Sequence, residues 1–178
     1  MEKQSAQIAT VCECIDQCFA FALWCDDFAK YVDPEAVVAG LDRGFEVVSD
    51  ATRLQSFLAL RKLDDFFGGG KPKPDDLVAS TLGIDGPSVL GAGRKSFLTT
   101  DERKDINKAV AHLTERLSLD ADSEVDLQAI LKRSTPIFSS LVSELRKGDT
   151  SKEAAHCLGK TDALIKHEDE KGVVQPPI

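Results

Sequence analysis

Apolar residues recur at spacings of three and four through most of the chain, and no strand-like ladder of alternating residues stands out. Such spacing lines one face of an α-helix, because about 3.6 residues complete a turn. Ile8, Val11, Ile15, Cys18, Ala22 and Cys25 form the first stripe, which predicts one long helix ending near Tyr31-Val32. Asp33 followed by Pro34 marks a restart, with Asp as N-cap and Pro at the first helical position, where its missing N–H costs nothing. Leu41, Phe45, Val48, Leu54, Phe57, Leu58 and Leu60 carry a second long helix to about Phe67, with Gly40 and Gly44 weakening its first half. So short a link predicts that the two helices pack as an antiparallel hairpin.

Gly68-Gly69-Gly70-Lys71-Pro72-Lys73-Pro74 ends the second helix. A phosphate-cradling loop needs GxxxxGK[ST] spacing, and Pro72 stands where its Ser or Thr belongs, so this run reads as a breaker. Residues 75–98 are mixed, with a short helix expected around 76–82, then Gly83, Gly86, Pro87, Gly91 and Gly93. So long a connection either caps a site as a flap or wraps the domain, and wrapping is the preferred expectation. Thr99 with Glu102 makes a capping box for a helix whose core stripe is Ile106, Ala109, Val110, Leu113 and Leu117. Ser123 and Asp126 are candidate caps for the next helix, which carries Leu127, Ile130, Leu131, Ile137, Phe138, Leu141, Val142 and Leu145. Pro136 is expected to kink or split it, and Gly148 to stop it. A second capping box, Thr150 with Glu153, introduces a C-terminal helix to about Glu170, and residues 173–178 read as an extended tail. The pattern divides the chain into a helical bundle over 1–148 and a C-terminal helix and tail over 149–178.

The 178 residues suffice to bury a core, and 42% hydrophobic with 29% charged residues is a globular composition. The longest apolar stretch, around Phe19–Trp24, is far below the roughly 20 residues of a spanning helix. The first residues lack a basic start and apolar run, so a cytoplasmic protein is expected. Cys12, Cys14, Cys18, Cys25 and Cys157 show no pair of metal-ligand motifs, and they read as small buried hydrophobes rather than a metal site or disulfides. No metal and no cofactor is called for. The net charge of −8 argues against a broad, sequence-independent grip on nucleic acid. Local basic positions remain at Lys71 and Lys73, and at Arg94, Lys95, Arg103, Lys104 and Lys108, interleaved with Asp101, Glu102 and Asp105.

One local pattern suggests chemistry: Ile106-Asn107-Lys108-Ala109-Val110-Ala111-His112-Leu113-Thr114. On a helical wheel His112 sits at one border of the apolar face, beside Lys108 and Asp105, while Arg103 and Asn107 flank the other border. Periodicity alone leaves His112 as either a polar boundary residue or a base placed at a cleft.

The run resembles the Arg-Asn-Lys-x-x-Ala-His signature of the higher eukaryotes and prokaryotes nucleotide-binding (HEPN) superfamily, and the long helical hairpin before it, closed by Arg61-Lys62-Leu63-Asp64-Asp65-Phe66-Phe67, resembles especially its abortive-infection-type members. Asn107, Lys108, Ala111 and His112 match, Ile106 occupies the Arg position, and Arg103 lies nine residues before His112, outside the family spacing. The resemblance spans roughly residues 3–145 in architecture and about nine positions in motif. It implies an all-α, antiparallel four- to five-helix bundle with a long N-terminal hairpin. It also implies a homodimer whose two motifs face one cleft, in a bacterial defence or toxin–antitoxin system. His112 would serve as acid and base, Asn107 as a positioning group, and Lys108 or Arg103 as the cation for a metal-independent endoribonuclease of phage defence. RNA supplies its own 2′-hydroxyl as nucleophile, so proton transfer and cationic stabilisation suffice. The alternatives are a non-catalytic module of the same fold that binds nucleotide, an antitoxin or another protein partner, and an unrelated four-helix bundle. Arg61, Asp64 and Asp65 read as an exposed helix end with local ion pairs, with lining of the same cleft as the alternative.

Overall fold

The computed structural model describes residues 2–31, 42–69, 76–91, 94–116, 125–148 and 151–171, with the backbone alone at 26–31, 42–46 and 112–116. Among these residues there are seven α-helices and no strand: α1 (Glu2–Cys18), α2 (Ala20–Tyr31), α3 (Asp42–Phe66), α4 (Gly86–Leu90), α5 (Thr100–Arg116), α6 (Leu127–Gly148) and α7 (Lys152–Lys171). A 3-10 turn at Ala79–Leu82 occupies the place of the expected short helix. The Asp33-Pro34 restart, the Lys71–Pro74 run, Leu117, Ser123 and the tail lie outside the described residues.

The first apolar stripe is not one helix. Ser56 Oγ accepts from Phe21 N at 3.2 Å and lies 3.4 Å from Gln17 O, to which it donates. The hydroxyl thus stands between a donor and an acceptor that an unbroken helix would join, a recognised cause of a kink. Phe19 at the break is fully buried and meets Phe138 edge-on, with ring centroids 5.9 Å apart.

The kinked pair α1–α2 packs along α3. Cys14 lies against Ala59 and Phe21 against Ser56, so the two run antiparallel, as the hairpin expectation required. On the other side of α1 lies α7, parallel to it: Ser5 meets Ser151 at 2.9 Å, and Thr161 donates to Asp16 at 2.8 Å. α6 and α7 form an antiparallel pair tied by Arg146 and Asp162 at 3.1 Å. α5 packs on α3, and α4 on α6. Ile8, Ile15, Phe57, Leu60, Leu63, Ile130, Phe138, Leu141 and Leu158 fill the shared core, each fully buried. Burial of such a side chain stabilises by about 1.5–3 kcal/mol.

Pro136 does not split α6, which runs continuously through it. Ile130, Leu131, Ile137, Phe138, Leu141 and Val142 are buried on both sides of the proline, and that burial outweighs the roughly 3 kcal/mol of a proline in a helix interior. Asp126 caps α6 through Ala129 N at 2.9 Å. Ser151 Oγ accepts from Ala154 N at 3.1 Å in the first turn of α7, and Thr150 of the expected capping box lies outside the described residues. The described parts of the connection from α3 to α5, residues 76–91 and 94–99, pack on the core. Ala79, Ile84, Val89, Leu90, Phe97 and Leu98 are buried along it, and Phe67, Phe97 and Phe138 continue the aromatic contacts into the core.

All five cysteines are thiols; Cys12, Cys18 and Cys25 are buried, Cys14 and Cys157 half-buried. Cys12 lies against Thr161 of α7 while Cys14 donates to Ala59 O of α3, because residues two apart on a helix point about 200° from one another. Burial pushes both thiols up to about 11, so neither is a ready nucleophile at neutral pH. Among the described residues, no helix is long and apolar enough to cross a membrane.

Candidate functional site

The helix that carries the motif starts where the capping box predicts. Thr99 N donates to Glu102 Oε2 at 2.7 Å, and Glu102 N donates to Thr99 Oγ1 at 3.2 Å. Asp101 and Glu102 in the first turn also meet the positive end of the helix dipole. Glu102 does a second job: Arg133 of α6 grips it with both terminal nitrogens, at 2.7 and 2.8 Å, and reaches Phe97 O at 3.3 Å. Burial works against the Glu102 charge, but the hydrogen bonds from Arg133 and Thr99 hold its carboxyl below the usual carboxylate range. The same pairing raises Arg133.

Along α5 the burial follows the wheel. Ile106 and Ala109 are fully buried and Val110 is half-buried. Lys104, Asn107, Lys108 and Ala111 are exposed, and Asp105 stands at the margin. Asn107 and Lys108 therefore share the solvent face, and the backbone of His112 continues the helix one turn after Lys108. The His112 side chain lies outside the described residues. Ile106, at the position where the resembling family carries Arg, points into the core with no exposure.

Arg103 goes elsewhere. One terminal nitrogen pairs with Asp64 and the other with Asp65, both from the last turn of α3. Asp64 is fully buried, contrary to the expectation of an exposed helix end, and it gathers three parts of the chain. Its Oδ1 accepts from Phe97 N at 3.1 Å and Leu98 N at 3.3 Å, with the Ser96 hydroxyl at 2.5 Å. Its backbone carbonyl accepts from Gly69 N at 2.8 Å, while Gly68 N donates to Asp65 O at 3.0 Å. That pair of bonds, with Gly68 at φ 95°, is a Schellman stop that closes α3. Gly69 has no room for a side chain: a Cβ there would lie 2.2 Å from Asp64 Oδ2 and 2.7 Å from Arg103 Nη1.

Among the four residues singled out by sequence, the structure thus separates Arg103, held inward, from Asn107 and Lys108 on the solvent face, with His112 placed by its backbone only. Arg61 is exposed and Asp65 half-buried at the end of α3. Sequence reasoning missed the role of Asp64 and the parts played by Ser96, Gly69 and Arg133. One signal was present: two adjacent acids close a helix with no basic residue in its last turn, where the negative end of the dipole opposes them and a cation from another element stabilises them. Comparison with protein-family models, curated proteins and solved structures returns no match to this chain.

Proposed function

We propose that the chain is a HEPN-like helical protein of a bacterial defence or toxin–antitoxin system, cutting RNA without a metal as a homodimer. The observation that carries the reading is the exposure of Asn107 and Lys108 together, one turn before His112, on a helix whose other face is locked into the core. In this reading the His112 imidazole takes the proton of an RNA 2′-hydroxyl, whose oxygen attacks the adjacent phosphorus while the 5′-oxygen leaves. Lys108 offsets the charge that develops on the phosphoryl oxygens, and Asn107 orients the phosphate. Arg103, already engaged by Asp64 and Asp65, holds α5 against α3 in this scheme instead of meeting the substrate.

A second reading, a non-catalytic module of the same type that binds nucleotide, an antitoxin or another protein partner, draws on a different observation. Ile106 is buried where the family carries its phosphate-steadying Arg, and Arg103, the arginine that precedes it on the same helix, is engaged in two ion pairs. The test is cleavage of total RNA and of tRNA by the purified chain in EDTA, beside His112→Ala and Lys108→Ala. The nuclease reading expects cleavage by the parent chain, none by His112→Ala, and a rate lowered by about 10²-fold or more in Lys108→Ala. Intact RNA with every variant, at concentrations where the dimer is present, would leave the binding module as the reading to pursue.

A further inference from the structure

α1 and α7 run in parallel with a nearly constant offset. Ser5 meets Ser151, 146 residues on, and Asp16 meets Thr161, 145 residues on. The same offset carries Cys12 to residues 157 and 158, between these two contacts. The Cys12 side chain turns that way: it lies against Thr161, one turn after Cys157, and Cys157 is near enough for its charge to bear on the Cys12 thiol. Cys157 is half-buried and packs against the core. Small side chains at the contact, Ser5, Ser151, Ala154 and Thr161, let the two backbones come close. Helix axes about 8 Å apart bring facing Cα atoms into the roughly 4.4–6.8 Å that a disulfide needs, because each Cα stands about 2.3 Å off its axis.

The other cysteines are placed elsewhere. Cys14 donates to Ala59 O of α3, Cys18 donates to Cys14 O within α1, and Cys25 lies on α2. Cys12 and Cys157 also differ in access. Cys12 is 2% exposed and burial holds its thiol up to about 11, so it neither meets a dissolved oxidant nor ionises readily. Cys157, only half-buried, is the one a small oxidant reaches.

We propose that Cys12 and Cys157 form a reversible, peroxide-driven disulfide that clamps the C-terminal helix to α1. Hydrogen peroxide transfers one oxygen to the Cys157 thiol, giving a sulfenic acid and releasing water. The Cys12 sulfur then bonds to the Cys157 sulfur, the S–O bond breaks, and the departing hydroxide takes the Cys12 proton as a second water. Peroxide is reduced, the two thiols are oxidised, and a dithiol reductant reverses the bond. A thiol that is slow toward solvent suffices here, because it attacks a sulfur already beside it. The clamp stands independently of the RNA-cleaving reading, since it uses none of the residues that reading assigns to the reaction.

The test treats the folded full chain with a molar excess of hydrogen peroxide and follows intact mass, unreduced peptide maps and thermal melting. The expected product has lost two hydrogens, carries a Cys12–Cys157 bridge within one chain, and melts about 5 °C or more higher, all undone by dithiothreitol. Cys157→Ser, a small change at a half-buried position, should keep the circular dichroism of the parent and lose both the bridge and the rise in melting temperature. Cys157 left unmodified, or carried on to sulfinic acid while Cys12 stays a thiol, would overturn the proposal. So would a bridge to another cysteine or to a second chain, or a bridge that leaves the melting temperature where it was.

Discussion

Asp64 shows how one side chain can settle the relation between distant parts of a chain. Its oxygens satisfy two backbone N–H groups, a hydroxyl and a guanidinium, and none of these is a near neighbour in sequence. A buried carboxylate is tolerable only when it is paired and hydrogen-bonded, and Asp64 meets both conditions. Removing it leaves the amides of Phe97 and Leu98 and half of Arg103 without their acceptor. Asp64→Ala is therefore expected to cost about 3–5 kcal/mol in urea denaturation. A change no larger than that of an ordinary surface substitution, about 0.5 kcal/mol, would show that the junction does not depend on it.

At the scale of the element, the start of α5 is held by charge through two adjacent residues, Glu102 and Arg103. Glu102 closes the capping box and receives Arg133 from α6, so one carboxylate caps the helix and ties it to its neighbour. Because the folded chain holds Glu102 below its ordinary value of 4.5, it binds that proton more weakly than the unfolded chain does. The resulting stability is present above the ordinary value and is lost as pH falls through the folded one. Melting temperature followed from about pH 6 down to about pH 3 should thus fall less steeply for Glu102→Gln than for the parent chain. Parallel curves would mean that Glu102 contributes nothing through its charge. The kink between α1 and α2 is the contrasting case, a boundary set by a neighbour's hydroxyl with no charge involved.

For the whole molecule, α1 is the shared support. It meets α3 on one side and α7 on the other, so the C-terminal helix is built into the core through Ala154, Leu158, Thr161 and Ile165. The RNA-cleaving reading makes a claim at this scale, since each cleft needs two motifs. Sedimentation equilibrium should give a mass near twice 19.3 kDa at the concentrations at which RNA is cut. Cutting by a chain that sediments as a monomer would remove the paired-motif cleft from the mechanism.

The sequence by itself determined the all-α class, the antiparallel approach of the first two long helical stretches, the capping of α5 by Thr99 and Glu102, and the inward face of Ile106 and Ala109. Each of these depends on residues within a turn or two of one another or on the 3.6-residue period, and a linear pattern carries that information. Only the tertiary structure decided that Asp64 is buried, that Arg103 turns to it, that Gly69 must stay bare, and that Ser56 interrupts the first stripe. Each of these involves groups 32 to 39 residues apart, such as Ser96 with Asp64 and Arg103 with Asp64, meeting once the helices have packed, even where, as at Gly69, a nearer residue also takes part. A carboxylate's burial, and a helix's continuity beside a polar neighbour, are set by what packing brings to them, and no local period encodes it.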